Sequence, residues 1–404
     1  MKFYFPDSQD LVSPSYDFIH DEYSPLRVRQ RDDKYAHEVL GERPYDGMLV
    51  SKAIVDGSVK GSGKYSEPQR ARLYRLGVKR FFRLPEGIAT LGDCGAFNYV
   101  TEAEPPYTVE EVLDFYVGCG FEAGVSIDHI ILAYDSAASV ATADPEWTRR
   151  QAISLEFARR FWDASQQYAK HFVPVGSAQG WSPASYARSV AELQEMGYQR
   201  IALGGMVPLK TRDILDSLHA IDDVRVPGTE LHLLGITRVE AMDEFARHGV
   251  TSFDSTSAFR QSFMDDRKNY HTEQAEYVAI RVPQVDGNPT LKRAILAGRV
   301  SGREAIATER ETLHRLRGLE SGAYSISDVL ETLADYERVS QSKNRYLQQY
   351  ARTLSDAPWR DCPCSLCRKH GVEMIIFRGT ERNKRRGFHN LSVLERKMRN
   401  LQYR

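Results

Sequence analysis

Between residues 47 and 256 the chain repeats one pattern: short apolar runs, most closing on Gly, Asp or Ser and most followed by a gap long enough for a helix. The runs are GMLVSKAIV, KRFFRLP, GIATLGD, HIILAYD, HFVPVGS, RIALGG, LHLLGI and VTSFDS, eight in all. Amphipathic stretches at 108–118, 148–170, 182–197 and 238–249 separate several of them. Strands alternating with helix-sized segments build a parallel sheet, because a parallel crossover has to carry a helix back across the sheet. Eight strands of this kind predict an α/β fold of the (β/α)8 TIM-barrel type, with its site at the C-terminal ends of the strands. An open doubly wound sheet is the competing architecture, but no Gly-rich phosphate fingerprint follows the first run. GSVKGSGK (57–64) lacks both the spacing and the GK[ST] ending of a phosphate loop and reads as a flexible loop. A chain of 404 residues has room for such a barrel and an appendage. The expected division is an N-terminal segment (1–45), the barrel core (46–265), a charged helical segment (266–355) and a C-terminal zinc-binding subdomain with a basic tail (356–404).

That subdomain is inferred from cysteine spacing. Three of the five cysteines, Cys362, Cys364 and Cys367, fall within CPCSLC, and His389 follows in GFHNL after 21 intervening residues. Three thiolates and an imidazole make a closed tetrahedral shell for a structural Zn2+; the alternative is three unligated cysteines and an unrelated histidine. Cys94 and Cys119 are left over. The N-terminus MKFYFPDSQD has no signal-peptide pattern, and no apolar run approaches membrane-spanning length. A cytoplasmic protein without membrane contact or disulfides is therefore expected. Net charge is −1, yet residues 368–404 carry eleven Lys and Arg against three Glu. RNKRR (382–386) and ERKMR (395–399) flank His389, forming either a phosphate-contacting surface or a solvated helix face.

Polar residues terminate the apolar runs. Asp93 ends TLGD, Asp135 ends ILAYD and Asp254 ends TSFD; Gln179 lies in GSAQG, and Gly204 and Gly205 end RIALGG. Each Asp alone is as well explained as a helix N-cap. As a set at barrel strand ends, they point to one pocket. Paired carboxylates suit glycosyl chemistry: one attacks the anomeric carbon while the other moves a proton on the departing or arriving base. A glycine pair lets a flat heterocycle approach the backbone closely.

Taken in order, GDCGAF, LAYDS, SAQG, LGGMVPL, FDSTS and C-x-C-x2-C…HNL resemble the tRNA-guanine transglycosylases, zinc-containing (β/α)8 barrels that exchange guanine in nucleic acid for a 7-deazaguanine. GDCGAF, the long charged helical segment and the short C-terminus look most like the DpdA branch, which acts on DNA and inserts 7-cyano-7-deazaguanine (preQ0). The resemblance implies Asp254 as nucleophile and Asp93 as general acid/base. It implies base contacts from Asp135, Gln179, Gly204, Gly205 and Met206, with Phe97 stacking on the heterocycle and Val207 beside the 7-substituent. It also implies Zn2+ on Cys362, Cys364, Cys367 and His389. Lys210 stands where queuine-type enzymes carry a Glu, which disfavours a cationic aminomethyl base and tolerates a neutral nitrile. Cys94 replaces a serine of the family pattern and reads as a pocket-wall residue. Arg260 is at a spacing from Asp254 that could reach a phosphate.

Barrel motifs do not separate DNA from tRNA, since either would present a flipped-out guanosine. Base exchange on tRNA is thus the first alternative, followed by a non-catalytic nucleic-acid-binding zinc scaffold and an unrelated barrel hydrolase. Flipping a base from a duplex costs a few kcal/mol, which leaves room for a helicase or ATPase partner or a single-stranded substrate. The tRNA enzymes often work as homodimers, and the sequence leaves the oligomeric state open.

Overall fold

The computed structural model describes residues 1–58, 61–340 and 346–402. Parts of the GSVKGSGK loop (59–60), the charged helical segment (341–345) and the basic tail (403–404) lie outside the described residues. The chain divides into two compact units. The first comprises Met1–Gln9, Tyr45–Thr256 and Met398–Arg404; the second comprises Asp10–Pro44 and Ser257–Lys397.

The first unit is a closed barrel of eight parallel strands in chain order: β1 (Lys2–Pro6), β2 (Gly47–Ser51), β3 (Ala89–Asp93), β4 (Ala123–Val125), β5 (Val173–Ala178), β6 (Arg200–Leu203), β7 (Glu230–Leu233) and β8 (Val250–Asp254). β1 closes the ring, pairing with both β2 and β8 and setting Tyr4 opposite Asp254. Tyr4, Leu49, Leu91, Ala123, Val125, Val175 and Ala202 form one buried cluster. Side chains from six successive strands can meet only inside the ring, so this cluster fills the barrel.

Three features differ from the sequence reading. KFYFP, assigned to an N-terminal segment, is a barrel strand with Phe3, Tyr4 and Phe5 buried. KRFFRLP is not a strand. Its first residues end helix α1 (Glu67–Phe81), which starts with Ser66 as N-cap and Pro68 in the first turn, signals that favour a helix. HIILAYD is not a strand either: β4 lies upstream, and the chain leaves it before Asp128.

The four amphipathic stretches are helical. They coincide closely with α2 (Val109–Gly118), α3 (Pro145–Ser165, which starts three residues earlier), α4 (Pro183–Met196) and, after a 3-10 turn, α6 (Met242–Arg247). α5 (Thr211–Asp222) follows β6. Thr108 and Ser182 cap α2 and α4 by accepting the amides of Glu111 and Ser185.

The second unit is mainly helical: α7 (Ser257–Met264), α8 (Pro289–Leu296), α9 (Gly302–Gly318), α10 (Ile326–Val339), α11 (Leu347–Asp356), α12 (Ser365–His370) and α13 (Gly379–Gln402), whose last turn belongs to the first unit. Residues 10–44, 266–355 and most of 356–404 lie in this unit. No helix among the described residues is long and apolar enough to cross a membrane.

RNKRR corrects the reading of the basic tail. Arg382, Arg385 and Arg386 are buried. Arg382 donates to Glu373 at 2.6 Å, to Asp21 and to the Phe18 carbonyl. Arg385 pairs with Glu381 and reaches the Ser13 carbonyl. Arg386 is spent on the carbonyls of Ile376 and Ser262 and on Asn383. Arg382 and Arg385 tie residues 10–44 to α13, and none of the three buried arginines belongs to a phosphate surface or a solvated face. In ERKMR, Arg396 donates to Glu273 at 3.0 Å.

Candidate functional site

At the barrel's C-terminal rim the strand-end pattern brings three carboxylates into one electrostatic neighbourhood: Asp93 on β3, Asp128 just beyond β4 and Asp254 on β8. Among the described residues none of the three pairs with Lys or Arg; the one ionisable partner is His232, beside Asp254.

Asp93 opens a tight turn whose Cys94 and Gly95 amides donate to its carboxylate. Removal from water, and then the negative fields of Asp128 and Asp254, push its carboxyl up to about 7 despite those amides. Asp128 is buried and is raised to about 6 by that burial; hydrogen bonds from Ser177 and Gln179 hold it from going further. Ser177 Oγ donates to Asp128 Oδ2 at 3.0 Å and Gln179 Nε2 donates to the same oxygen at 2.5 Å. Gln179 Oε1 in turn accepts the Ile131 amide at 3.2 Å, and Gln151 braces the Gln179 backbone carbonyl at 2.7 Å. Asp254, 7% exposed, accepts the Gly235 amide at 3.0 Å and His232 Nε2 at 3.2 Å, both on Oδ1.

Gly204 and Gly205 pass directly over this network. A Cβ on Gly204 would fall 2.1 Å from Gln179 Nε2 and 3.4 Å from Asp128 Oδ2. Gly205 has φ +75°, and a Cβ there would meet the Ile131 carbonyl at 2.3 Å. Close approach requires the first glycine; backbone conformation also requires the second. Met206 is buried next to them, while Val207 and Lys210 are exposed. Phe97 is 53% exposed on the 3-10 turn after Asp93.

Asp135 does not join the site. It is exposed, its Oδ1 caps a turn by accepting the Ala137 amide at 3.0 Å, and its own amide donates to Trp181. Asp128, seven residues earlier, holds the buried position bonded to Gln179. The sequence signal was present: Asp128 ends AGVSID as Asp93 ends ATLGD. The longer apolar run that follows drew the strand assignment downstream. Arg260 lies on α7, in the second unit.

Sequence reasoning also missed two buried hydroxyls. Ser51, paired in register with Asp93, and Tyr99, within the fields of Cys94, Asp128 and Asp93, have no protein partner for their oxygens among the described residues. Such groups are available to a bound base or water. Burial and Asp93 push the Cys94 thiol well up, and its sulfur contacts Tyr116 Oη at 3.4 Å. A neutral, enclosed thiol is a wall residue, not a nucleophile.

In the second unit Cys362, Cys364, Cys367 and His389 are buried, and their ligand atoms all lie within 4.8 Å of one another. His389 Nδ1 is 3.4–3.5 Å from each sulfur. Its Nε2 lies 2.8 Å from the His271 carbonyl, which requires the proton on Nε2 and frees Nδ1 to ligate. Tyr270 stacks on the imidazole at 4.2 Å, and its hydroxyl touches Cys367 Sγ at 3.2 Å. The Cys367 amide lies 3.3 Å from Cys364 Sγ, a contact that suits a thiolate. Four buried donors with an oriented imidazole fit a metal ion.

No protein-family model matches the chain. Over 400 residues, 98% of this chain and 95% of its relative, it is 48% identical to a DNA-guanine transglycosylase of Salmonella montevideo.

Proposed function

This chain belongs to the DNA-guanine transglycosylase family, and on that premise we propose that it replaces guanine in DNA with 7-cyano-7-deazaguanine through a glycosyl ester on Asp254. The observation that carries this reading is the carboxylate set itself: Asp93 is poised near neutrality beside an Asp254 held on a single oxygen.

In the first half-reaction Asp254 Oδ2 attacks C1′ of a flipped-out deoxyguanosine. The C1′–N9 bond breaks, its electron pair goes to guanine, and protonated Asp93 supplies the proton that neutralises the leaving base. In the second half the incoming 7-deazaguanine gives its N9 proton to Asp93. N9 then attacks C1′, and the ester electron pair returns to Asp254. Asp93 serves as acid and then as base in one cycle, the use to which a carboxyl tuned to about 7 is suited. The oxocarbenium-like transition state gains from the surrounding negative field.

Asp128, rather than Asp135, accepts hydrogen bonds from the N–H edge of the base. The second N–H of Gln179 and the Gly205 amide address its carbonyl, and Met206 lies against the ring. Lys210, four residues beyond Met206, disfavours an aminomethyl substituent and is indifferent to a nitrile. Zn2+ on Cys362, Cys364, Cys367 and His389 is structural, since four protein donors leave no open position. The duplex is opened by a partner, or the substrate is single-stranded.

The test is incorporation of labelled guanine and labelled preQ0 into matched DNA and tRNA. Label in DNA, lost in Asp254→Ala and in Asp128→Asn but retained in Asp135→Asn, is the expected result. Label in tRNA alone would overturn the polymer assignment. Retained exchange in Asp254→Ala would overturn the mechanism.

A further inference from the structure

His232 lies on β7 with its ring enclosed between Ser252 and Asp254 of the neighbouring strand. Nδ1 is 2.8 Å from Ser252 Oγ, and Nε2 is 3.2 Å from Asp254 Oδ1. Tyr4, from β1 on the other side of β8, meets the imidazole edge-on at 5.7 Å. His232 and Ser252 are each no more than 3% exposed. An ionised carboxylate only accepts, so the ring presents Nε2–H to Asp254. A serine hydroxyl can donate or accept, so Ser252 satisfies Nδ1 in that tautomer. The Gly235 amide donates to the same Oδ1 at 3.0 Å. Among the described residues nothing donates to Oδ2.

We propose that His232 is a positioning residue that acts through Asp254, fixing which carboxylate oxygen forms the ester and stabilising that carboxylate as it departs. This rests on Asp254 being the nucleophile. With Oδ1 held by two donors, Oδ2 is the free oxygen that bonds to C1′. Ester formation removes negative charge from the carboxylate and weakens the bonds to Oδ1. Ester cleavage returns the C1′–Oδ2 electron pair to the carboxylate and strengthens them. Removing the imidazole donor therefore slows departure of Asp254 from the sugar more than its attack. The covalent intermediate should accumulate.

The experiment uses the full chain, a guanine-containing single-stranded DNA oligonucleotide and labelled guanine. Exchange rate and the fraction of protein covalently attached to DNA, on a denaturing gel during turnover, are measured together for His232→Phe and His232→Gln. His232→Phe fills the space without a donor and should exchange on the order of ten- to a hundred-fold more slowly, the worth of one hydrogen bond to a charged group, while its adduct fraction rises. His232→Gln, whose amide nitrogen can stand near Nε2, should recover most of the rate and the wild-type adduct fraction. A merely structural role would lower exchange and adduct together in both variants. An unchanged adduct fraction in His232→Phe, or a Gln variant as impaired as the Phe variant, would overturn the proposal. An adduct persisting in Asp254→Ala would instead strike at the nucleophile, separating that failure from this one.

Discussion

Gly204→Ala tests the base-recognition network through a single methyl group. Gly204 lies outside the left-handed region, so alanine costs nothing in backbone strain; the effect is steric and local. The new Cβ would stand 2.1 Å from Gln179 Nε2, a separation no contact tolerates, and Gln179 must yield. It then gives up the 2.5 Å bond to Asp128 and the 3.2 Å bond from the Ile131 amide. A hydrogen bond to a charged group contributes about 1.5–3 kcal/mol, so exchange should fall by roughly 10- to 100-fold. Stability should fall by about 1–3 kcal/mol for the buried groups left unsatisfied. Gln179→Ala removes the same bond but vacates the space that the methyl group needs. The double variant should therefore be no worse than Gln179→Ala alone. Labelled-guanine exchange and denaturant unfolding on all four proteins complete the cycle. Effects additive to within about 0.5 kcal/mol would show the two positions to be independent and refute the reasoning, as would wild-type exchange in Gly204→Ala.

Exchange should fall as pH rises through about 7, since Asp93, pushed up to about 7, holds the proton for the leaving guanine only below that value. The linked stability runs the same way: the folded chain keeps a proton that the unfolded chain, with an ordinary Asp near 3.8, has released, so stability from this group is lost as pH rises from about 4 through 7. A single-turnover pH series on base release checks the first statement, and a rate that climbs above pH 7 contradicts it. Cys364→Ala should lower bound zinc, measured by metal analysis, together with stability, because ligation free energy is folding free energy; wild-type metal content would exclude Cys364 as a ligand. Arg382→Met should destabilise by about 1.5–3 kcal/mol by removing one of the two cations on each of Asp21 and Glu373, which keep Arg378 and Arg317. The salt slope of DNA binding should not change, whereas a phosphate contact would lower the slope by about one.

The barrel was legible because eight parallel strands require apolar runs at helix-sized spacing, and the chain supplies them. The strands misjudged show the limit of that signal. KRFFRLP carries a Phe pair and a Leu like a strand, but its first residues form the helical turn after a kink at Gly77 in a helix that starts at Ser66. KFYFP is short, and it is a strand because β2 and β8 offer it two edges at once. Asp128 was lost for a related reason. AGV is only three residues long, and HIILA, buried through Ile131 without strand pairing, looks more like a strand than the strand itself. A strand-end residue is found only as accurately as the strand end. Asp93 and Asp254, which close five-residue strands, were placed, whereas Asp128 was displaced by one apolar run.

Charge was harder to read than hydrophobicity, since its meaning depends on partners distant in sequence. RNKRR has one acidic neighbour, Glu381, and looks like an unpaired cationic stretch. Its partners are Asp21, the Phe18 carbonyl and the Ser13 carbonyl, more than 350 residues away, with Glu373 in the 3-10 turn that precedes α13. A guanidinium that donates three such bonds, as Arg382 does, is removed from any role at a phosphate. The same bonds explain why residues 10–44, without periodicity of their own, have a fixed structure: their carbonyls and carboxylates satisfy arginines that would otherwise be buried unpaired, which neither segment could tolerate alone. If this chain holds DNA by its backbone, the buried arginines of RNKRR are not the cations that do so, and substituting them lowers the stability of the second unit without removing a phosphate contact.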